Sequence, residues 1–245
     1  MPDKKAGRLG SLKLLLQSKR ANGYSNAKIQ FFTMYLTNSK RVRKVLLNLA
    51  LHPFDIPFYL KKSLSSKSPL ELGLPWWSLS SIRYVQRKVN PKLRVFEWGS
   101  GGSTLFLGKR FSSVTSIEHE PVWLEKVEAE IKKQSLTSVS VHLSSINLDN
   151  KSAFEKCPYF LCLKQEFDVV IVDGEDHFGP DSTWSSRVSC FKRAEKFIAE
   201  NGVIIVDDSW RYPEIRKASK AKRVDIHEGI GPCRKGVTST DLHFY

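Results

Sequence analysis

Residues 94–104 read RVFEWGSGGST, and this stretch decides the fold. An apolar-rich run ends in an acid, Glu97, a tight glycine turn follows, and a helix begins at once. Twenty-one residues after Glu97 a second apolar run, Val114–Ile117, stops at another acid, Glu118. Gly99, Ser100, Gly101 and Gly102 let the backbone turn sharply and approach a ligand closely. Ser103 and Thr104 are positioned to cap the following helix, whose free N–H groups face the same crevice. An acid at the tip of the next strand suits a ribose diol, because one carboxylate accepts from both hydroxyls. The pattern reads as a nucleoside-cofactor site at the carboxyl end of a parallel sheet.

Working outward, the same punctuation recurs. Pro75 and the pair Trp76–Trp77 open a helix with Leu79, Ile82, Val85 and Val89 on one side, which ends before Pro91. Strands are expected at Arg94–Glu97, Ser113–Glu118 and Ser138–Leu143, with helices from Ser103 and from Pro121 between them. Residues 144–165 are too long for an ordinary connection and read as a functional insertion. FDVVIVD (167–173) and GVIIVDD (202–208) are continuous apolar runs of the kind buried on both faces. A helix over 183–200 is expected to stop at Asn201–Gly202, a left-handed cap. A short helix at 213–221, a strand at Arg223–His227 and a last strand at Ser239–Tyr245 complete the order. Alternation of strand and helix predicts a doubly wound parallel sheet. The final connection lacks a helix, so the last strand is expected to return antiparallel.

Charge divides the chain. Residues 1–67 carry 14 Lys and Arg against Asp3 and Asp55, whereas the remaining residues are almost balanced within a net charge of +14. The reading is a basic helical N-terminal extension (1–67), with residues 61–68 as a linker, and a catalytic domain over 68–245. In KRVRKVLLNLA (40–50), Val42, Val45, Leu46 and Leu49 share one helical face. Cys157, Cys162, Cys190 and Cys233 form no CxxC pair, which disfavours zinc and suits free thiols. With no signal peptide and no apolar run of membrane-spanning length, the expected location is the cytoplasm, with peripheral membrane contact as the alternative.

Over residues 70–245 the chain resembles the class I S-adenosylmethionine-dependent methyltransferases. GluTrpGlySerGlyGly (97–102) is similar to that family's acid-x-Gly-x-Gly loop, and Glu118 to its ribose-binding acid. ValAspGlyGluAspHis (172–177) and ValAspAsp (206–208) resemble a subgroup with Asp-Gly-Asp-His at strand four, which includes O-methyltransferases of sugars and other small hydroxylated molecules. The resemblance implies a seven-stranded Rossmann-like sheet, its last strand antiparallel between strands five and six. It implies S-adenosylmethionine held by Glu97, Gly99–Thr104, Glu118 and Asp173, and O-methyl transfer to a small hydroxylated or glycan-like acceptor. A dinucleotide cofactor is disfavoured, because Thr104 stands where its fingerprint needs a third glycine.

Candidate catalytic groups are Asp173, His177 and Asp208. Three carboxylates converging at neighbouring strand tips, Asp173, Asp207 and Asp208, need a cation or a proton among them, and oxygen ligands suit Mg²⁺. The bland alternative has one aspartate capping a helix, one bonding loop amides and one solvated. His177 is the candidate base if no metal is used. Trp76 and Trp77 are candidates for covering a sulfonium, with core packing as their alternative. For residues 1–67 the expected partner is an anionic surface, membrane or RNA. A non-catalytic binding protein on the same fold is the competing class.

Overall fold

The computed structural model describes residues 39–88, 90–176 and 183–245. Its frame is one seven-stranded sheet: β1 (Arg94–Trp98), β2 (Ser113–Glu118), β3 (Val139–Leu143), β4 (Phe167–Val172), β5 (Ile198–Asp207), β6 (Arg223–Ile230) and β7 (Val237–Phe244). The spatial order is β3-β2-β1-β4-β5-β7-β6. Neighbours among β1 to β5 are parallel, and β7 runs antiparallel to both β5 and β6. Residues 231–236 are too few to cross the sheet, so β7 can only fold back beside β6. The expected doubly wound sheet with an antiparallel last strand is therefore present.

The central strands are apolar throughout because both faces are covered. Alternate residues feed opposite layers. Phe96, Trp98, Val170, Val172, Ile204 and Val206 pack into one core. Val95, Val114, Val169, Ile171, Val203 and Ile205 pack into the other, under Trp77, Ile82 and Val85. Chain order reverses between β1 and β4, which opens a crevice at the carboxyl ends of those strands.

Several boundaries differ from the sequence reading. The helix expected over 183–200 spans only Ser186–Ala194, and β5 begins already at Ile198. Asn201 does adopt a left-handed φ of 62°, but inside β5 rather than at a helix end. There the β4–β5 register shifts between Phe167 and Val169. Residues 144–165 contain two short helices, Lys151–Phe154 and Pro158–Leu161. Phe154, Tyr159 and Leu163 are wholly buried, so this segment is part of the core.

The N-terminal reading is altered more. Residues 1–38 lie outside the described residues. The helix Ser39–Leu51 buries Val45 against the β6–β7 side, but Leu46, expected inward, is exposed. Residues 61–68 are no linker. A π-helical turn (Tyr59–Ser63) ends with Ser63 donating to the Gly231 carbonyl at 2.7 Å, and the Cys233 amide donates to Lys62 O at 3.1 Å. Ser68 and Glu71 form a capping box on the next turn, Pro69–Leu72. Asp55 is buried and ion-paired with Arg83 of the helix Leu79–Lys88. Among the described residues, no helix is long and apolar enough to cross a membrane.

Candidate active site

The glycine turn sits at the point where chain order reverses. Gly99 has φ +86°, and a Cβ there would lie 2.8 Å from the Asp173 carbonyl oxygen and 2.9 Å from Gly174 Cα. Only glycine lets the loops after β1 and β4 cross this closely. Gly102 is required for a different reason. Its missing Cβ would stand 2.2 Å from Leu74 O and 2.4 Å from Pro69 O, so this glycine seats the helix Gly102–Gly108 beneath the Pro69–Leu72 turn. The expected caps, Ser103 and Thr104, fall inside that helix, and Gly101 precedes it. Thr104 instead takes up the space of a third glycine: its Oγ1 accepts from the Gly101 amide at 2.9 Å and donates to Glu97 Oε2 at 2.6 Å. Trp123 fixes the turn from the far side, its Nε1 donating to Ser100 O at 2.8 Å.

The two acids at the tips of β1 and β2 receive opposite treatment. Glu97 is fully buried, and Ser116 Oγ donates to its Oε2 at 2.6 Å alongside Thr104. Its Oε1 is buried with no hydrogen-bond partner. Burial outweighs the hydroxyl donors and pushes the carboxyl up to about 7. Glu118 is also desolvated, which raises its proton affinity. The His119 side chain, the Glu120 and His119 amides and the Ser100 hydroxyl together outweigh that and carry it down to about 2. Ser100 Oγ donates to Glu118 Oε2 at 2.7 Å, and the amides of His119 and Glu120 donate to Oε1 at 2.8 and 3.0 Å. One acid is thus held ionised beside the turn, and its neighbour keeps an unclaimed oxygen.

Asp173, Asp207 and Asp208 come together at the tips of β4 and β5, as the sequence predicts. Their counter-charges are two arginines. Arg187, on the helix Ser186–Ala194, ion-pairs with Asp173 at 3.2 Å and donates through Nε to Gly174 O at 2.8 Å. Arg234, in the β6–β7 loop, spans Asp208 Oδ1 at 2.8 Å and Asp207 Oδ2 at 3.1 Å. Thr238 and Thr240 donate to the same pair. Burial and the charge of Asp207 push Asp173 well above the usual carboxylate range, against the pull of Arg187. Burial also raises Asp207, whereas Arg234 and Thr238 overcome burial at Asp208 and lower it.

This donor set does not fit Mg²⁺. Arg187 and Arg234 already supply the counter-charge that a divalent ion would bring, and no cluster of three metal-ligating side chains exists among the described residues. The bland alternative fails too, since Asp208 makes no side-chain cap to the turn it precedes and Asp207 is nearly inaccessible. Asp208, fully engaged and with lowered proton affinity, is poorly suited to accept a proton. His177 lies outside the described residues. Trp77 is a core residue, packed edge-on to Phe106 at 6.1 Å, and half-exposed Trp76 lies beside the Arg234 guanidinium, 5.4 Å from its ring centre.

Sequence reasoning missed Arg187, Arg234, Trp123 and Ser116. Ser116 carried a readable signal, a hydroxyl at an inward-facing position of an apolar strand. The arginines carried none, because each meets its aspartate only through tertiary folding.

No family model matches the chain, and no curated protein matches it. Solved structures do. An O-methyltransferase from Bacillus cereus, in complex with S-adenosylhomocysteine, is 18% identical at a TM-score of 0.53 and covers 77% of this chain and 95% of its own. The O-methyltransferase TomG from Streptomyces achromogenes, involved in tomaymycin synthesis and bound to S-adenosylmethionine, is 17% identical at 0.54, covering 78% and 95%. The chain has the class I methyltransferase fold, as its sequence resemblance implies.

Proposed function

We propose that the protein is an S-adenosylmethionine-dependent O-methyltransferase acting on a small hydroxylated or glycan-like acceptor. The observation that carries this is Glu118: a desolvated carboxylate, held ionised by four neighbouring donors, beside a glycine turn at the crevice between β1 and β4. Desolvated anions are retained where a ligand repays them. Glu118 would accept the ribose hydroxyls once the Ser100 hydroxyl rotates away, and the Gly99–Gly101 backbone would border the methionyl chain. Glu97, fully buried beside the turn among the hydroxyls of Ser103, Thr104 and Ser116, would be a further acceptor for a cationic or N–H group.

The bound cofactor supplies a sulfonium-activated methyl, so the chain has only to align the acceptor and take up its proton. Asp173 is our choice of proton acceptor. Burial raises its proton affinity, and Arg187 holds it in place. With the cofactor bound, Asp173 would stand to take up the acceptor's hydroxyl proton. His177, four residues on, is the second candidate for that proton. Arg234 would stand at the acceptor side as a fixed donor beside Trp76.

Isothermal titration with S-adenosylhomocysteine, followed by a tritiated-methyl screen of sugars, phenols and other hydroxylated compounds, tests this reading. Binding that weakens at least tenfold in Glu118→Ala is expected. No binding by the folded wild-type protein would overturn the cofactor assignment. Binding without methyl transfer to any acceptor would favour the non-catalytic class.

A further inference from the structure

Thirteen large apolar side chains are exposed among the described residues, and seven of them lie between residues 46 and 64. Leu47 and Leu51, four residues apart, project from the outer face of the helix Ser39–Leu51, whose inner face is already used by Val45, and Leu46 is exposed on its flank. Phe54, at 93% exposure, Leu60 and Leu64 extend the surface across the following turns. Seven exposed large apolar side chains within nineteen residues are a concentration of the kind that marks an interaction site. Its border is cationic: Lys40, Arg43 and Lys44 on the helix and Lys61 beyond the turn are all exposed. Within residues 39–67 the sole acid is Asp55, which is buried and paired with Arg83.

We infer that this face docks on an anionic lipid bilayer. A bilayer surface rewards both features together, taking aliphatic and phenyl groups at the acyl boundary and cations at the phosphate level. Other occupants satisfy only one. A second copy would bring a like-charged border against Lys40, Arg43 and Lys44. Residues 1–38 add seven Lys and Arg against Asp3, so the cationic character of this end of the chain is not confined to the helix. RNA would neutralise the cations but leave Leu46, Leu51 and Leu60 without a partner. The helix itself is too short and too charged to span a membrane, so the contact is a surface one. This inference is independent of the cofactor site, which lies on other residues.

The test uses the full chain in flotation assays with phosphatidylcholine vesicles, with and without phosphatidylserine, at low and raised salt. Binding to the phosphatidylserine vesicles is expected, weakened by salt and much poorer on phosphatidylcholine alone. Leu51→Asp combined with Phe54→Asp should reduce that binding by about tenfold or more, since each change removes a side chain's worth of apolar burial. Phe54→Leu should retain it. Lys44→Gln with Lys61→Gln should weaken the preference for phosphatidylserine several-fold. These positions are exposed, so unchanged thermal unfolding will show each variant to be folded. The inference is overturned if wild-type protein ignores anionic vesicles, or if the Leu51/Phe54 variant binds them as well as wild type. It is equally overturned if sedimentation shows a dimer that this variant abolishes, or if RNA retention depends on Phe54 as strongly as vesicle binding does.

Discussion

Glu97 and Glu118 stand at adjacent strand tips, yet their surroundings drive their proton affinities apart. Glu97, with a folded value of about 7, binds a proton in the folded state over a range where the unfolded chain has released it. Stability contributed by this group is therefore lost as pH rises from about 4.5 to 7, by on the order of 3 kcal/mol. Glu118, lowered to about 2, works in the opposite sense, losing its contribution as pH falls from about 4.5 towards 2. Glu97→Gln should flatten the neutral-side slope and raise stability at pH 8, as followed by urea unfolding at several pH values. An unchanged slope would mean that Glu97 does not carry it. If Asp173 is the proton acceptor proposed above, its raised proton affinity should make turnover rise with pH as the carboxyl ionises. Asp173→Asn should remove that limb and lower kcat by about 10²–10⁴-fold, while leaving S-adenosylhomocysteine affinity within a few-fold of wild type. Because Arg187 and Arg234 already balance the aspartates, a chelator should leave turnover unchanged. Loss of activity restored by Mg²⁺ would refute this. Glu97, Glu118 and Asp173 were legible in the sequence because each ends an apolar run, a purely local signal. The charge that Arg187 and Arg234 lend was not, since they sit on a helix and in a loop with no local pattern pointing at the strand tips.

Elements obeyed the sequence where period and punctuation agreed. β2 spans the expected Ser113–Glu118, and the helix Pro121–Lys133 starts at the proline that marks it. The reading failed where one residue type serves two purposes. Asn201–Gly202 carries the left-handed conformation of a helix cap, yet here it lies at an irregularity within β5, and tertiary pairing with β4 draws residues 198–201 into the strand. Gly102 likewise has a second reason to be glycine. Its place in a glycine-rich turn suggests ligand contact, but the atoms that exclude a Cβ are the carbonyls of Leu74 and Pro69. Gly102→Ala should accordingly destabilise the fold by about 1–3 kcal/mol through overpacking against backbone. Cofactor affinity per folded molecule should change little. Gly99→Ala combines a clash with the β4 loop and a positive φ, so it should damage both stability and S-adenosylhomocysteine binding. Chemical denaturation and titration on the same samples separate the two cases. Equal loss of binding in both variants would return Gly102 to the cofactor site.

For the molecule as a whole, the parallel strands and the antiparallel return of the last one follow from two facts visible in the sequence, helices between successive strands and their absence before the last one, while the strand order was implied only by the family resemblance. What could not be seen is how the β6–β7 loop closes the structure. Arg234 reaches from that loop to Asp207 and Asp208 at the tip of β5, and its Nε donates to Trp76 O at 2.8 Å. The same loop accepts Ser63 and holds Lys62, so the N-terminal segment, the antiparallel hairpin and the β5 tip meet around one guanidinium. Asp207 is almost fully buried, and among the described residues Arg234 is its salt-bridge partner, while Arg187 donates to its backbone carbonyl. Removing one member of a buried pair leaves the other uncompensated, which costs about 3–5 kcal/mol. Arg234→Ala should therefore lose stability of that order in urea unfolding at neutral pH. Adding Asp207→Asn should restore part of the loss, because the deficit arises from stranded charge rather than from missing packing. If the second change restored nothing, the hairpin loop would be held by Ser63 and Cys233 alone, and Arg234 would serve the acceptor rather than the fold.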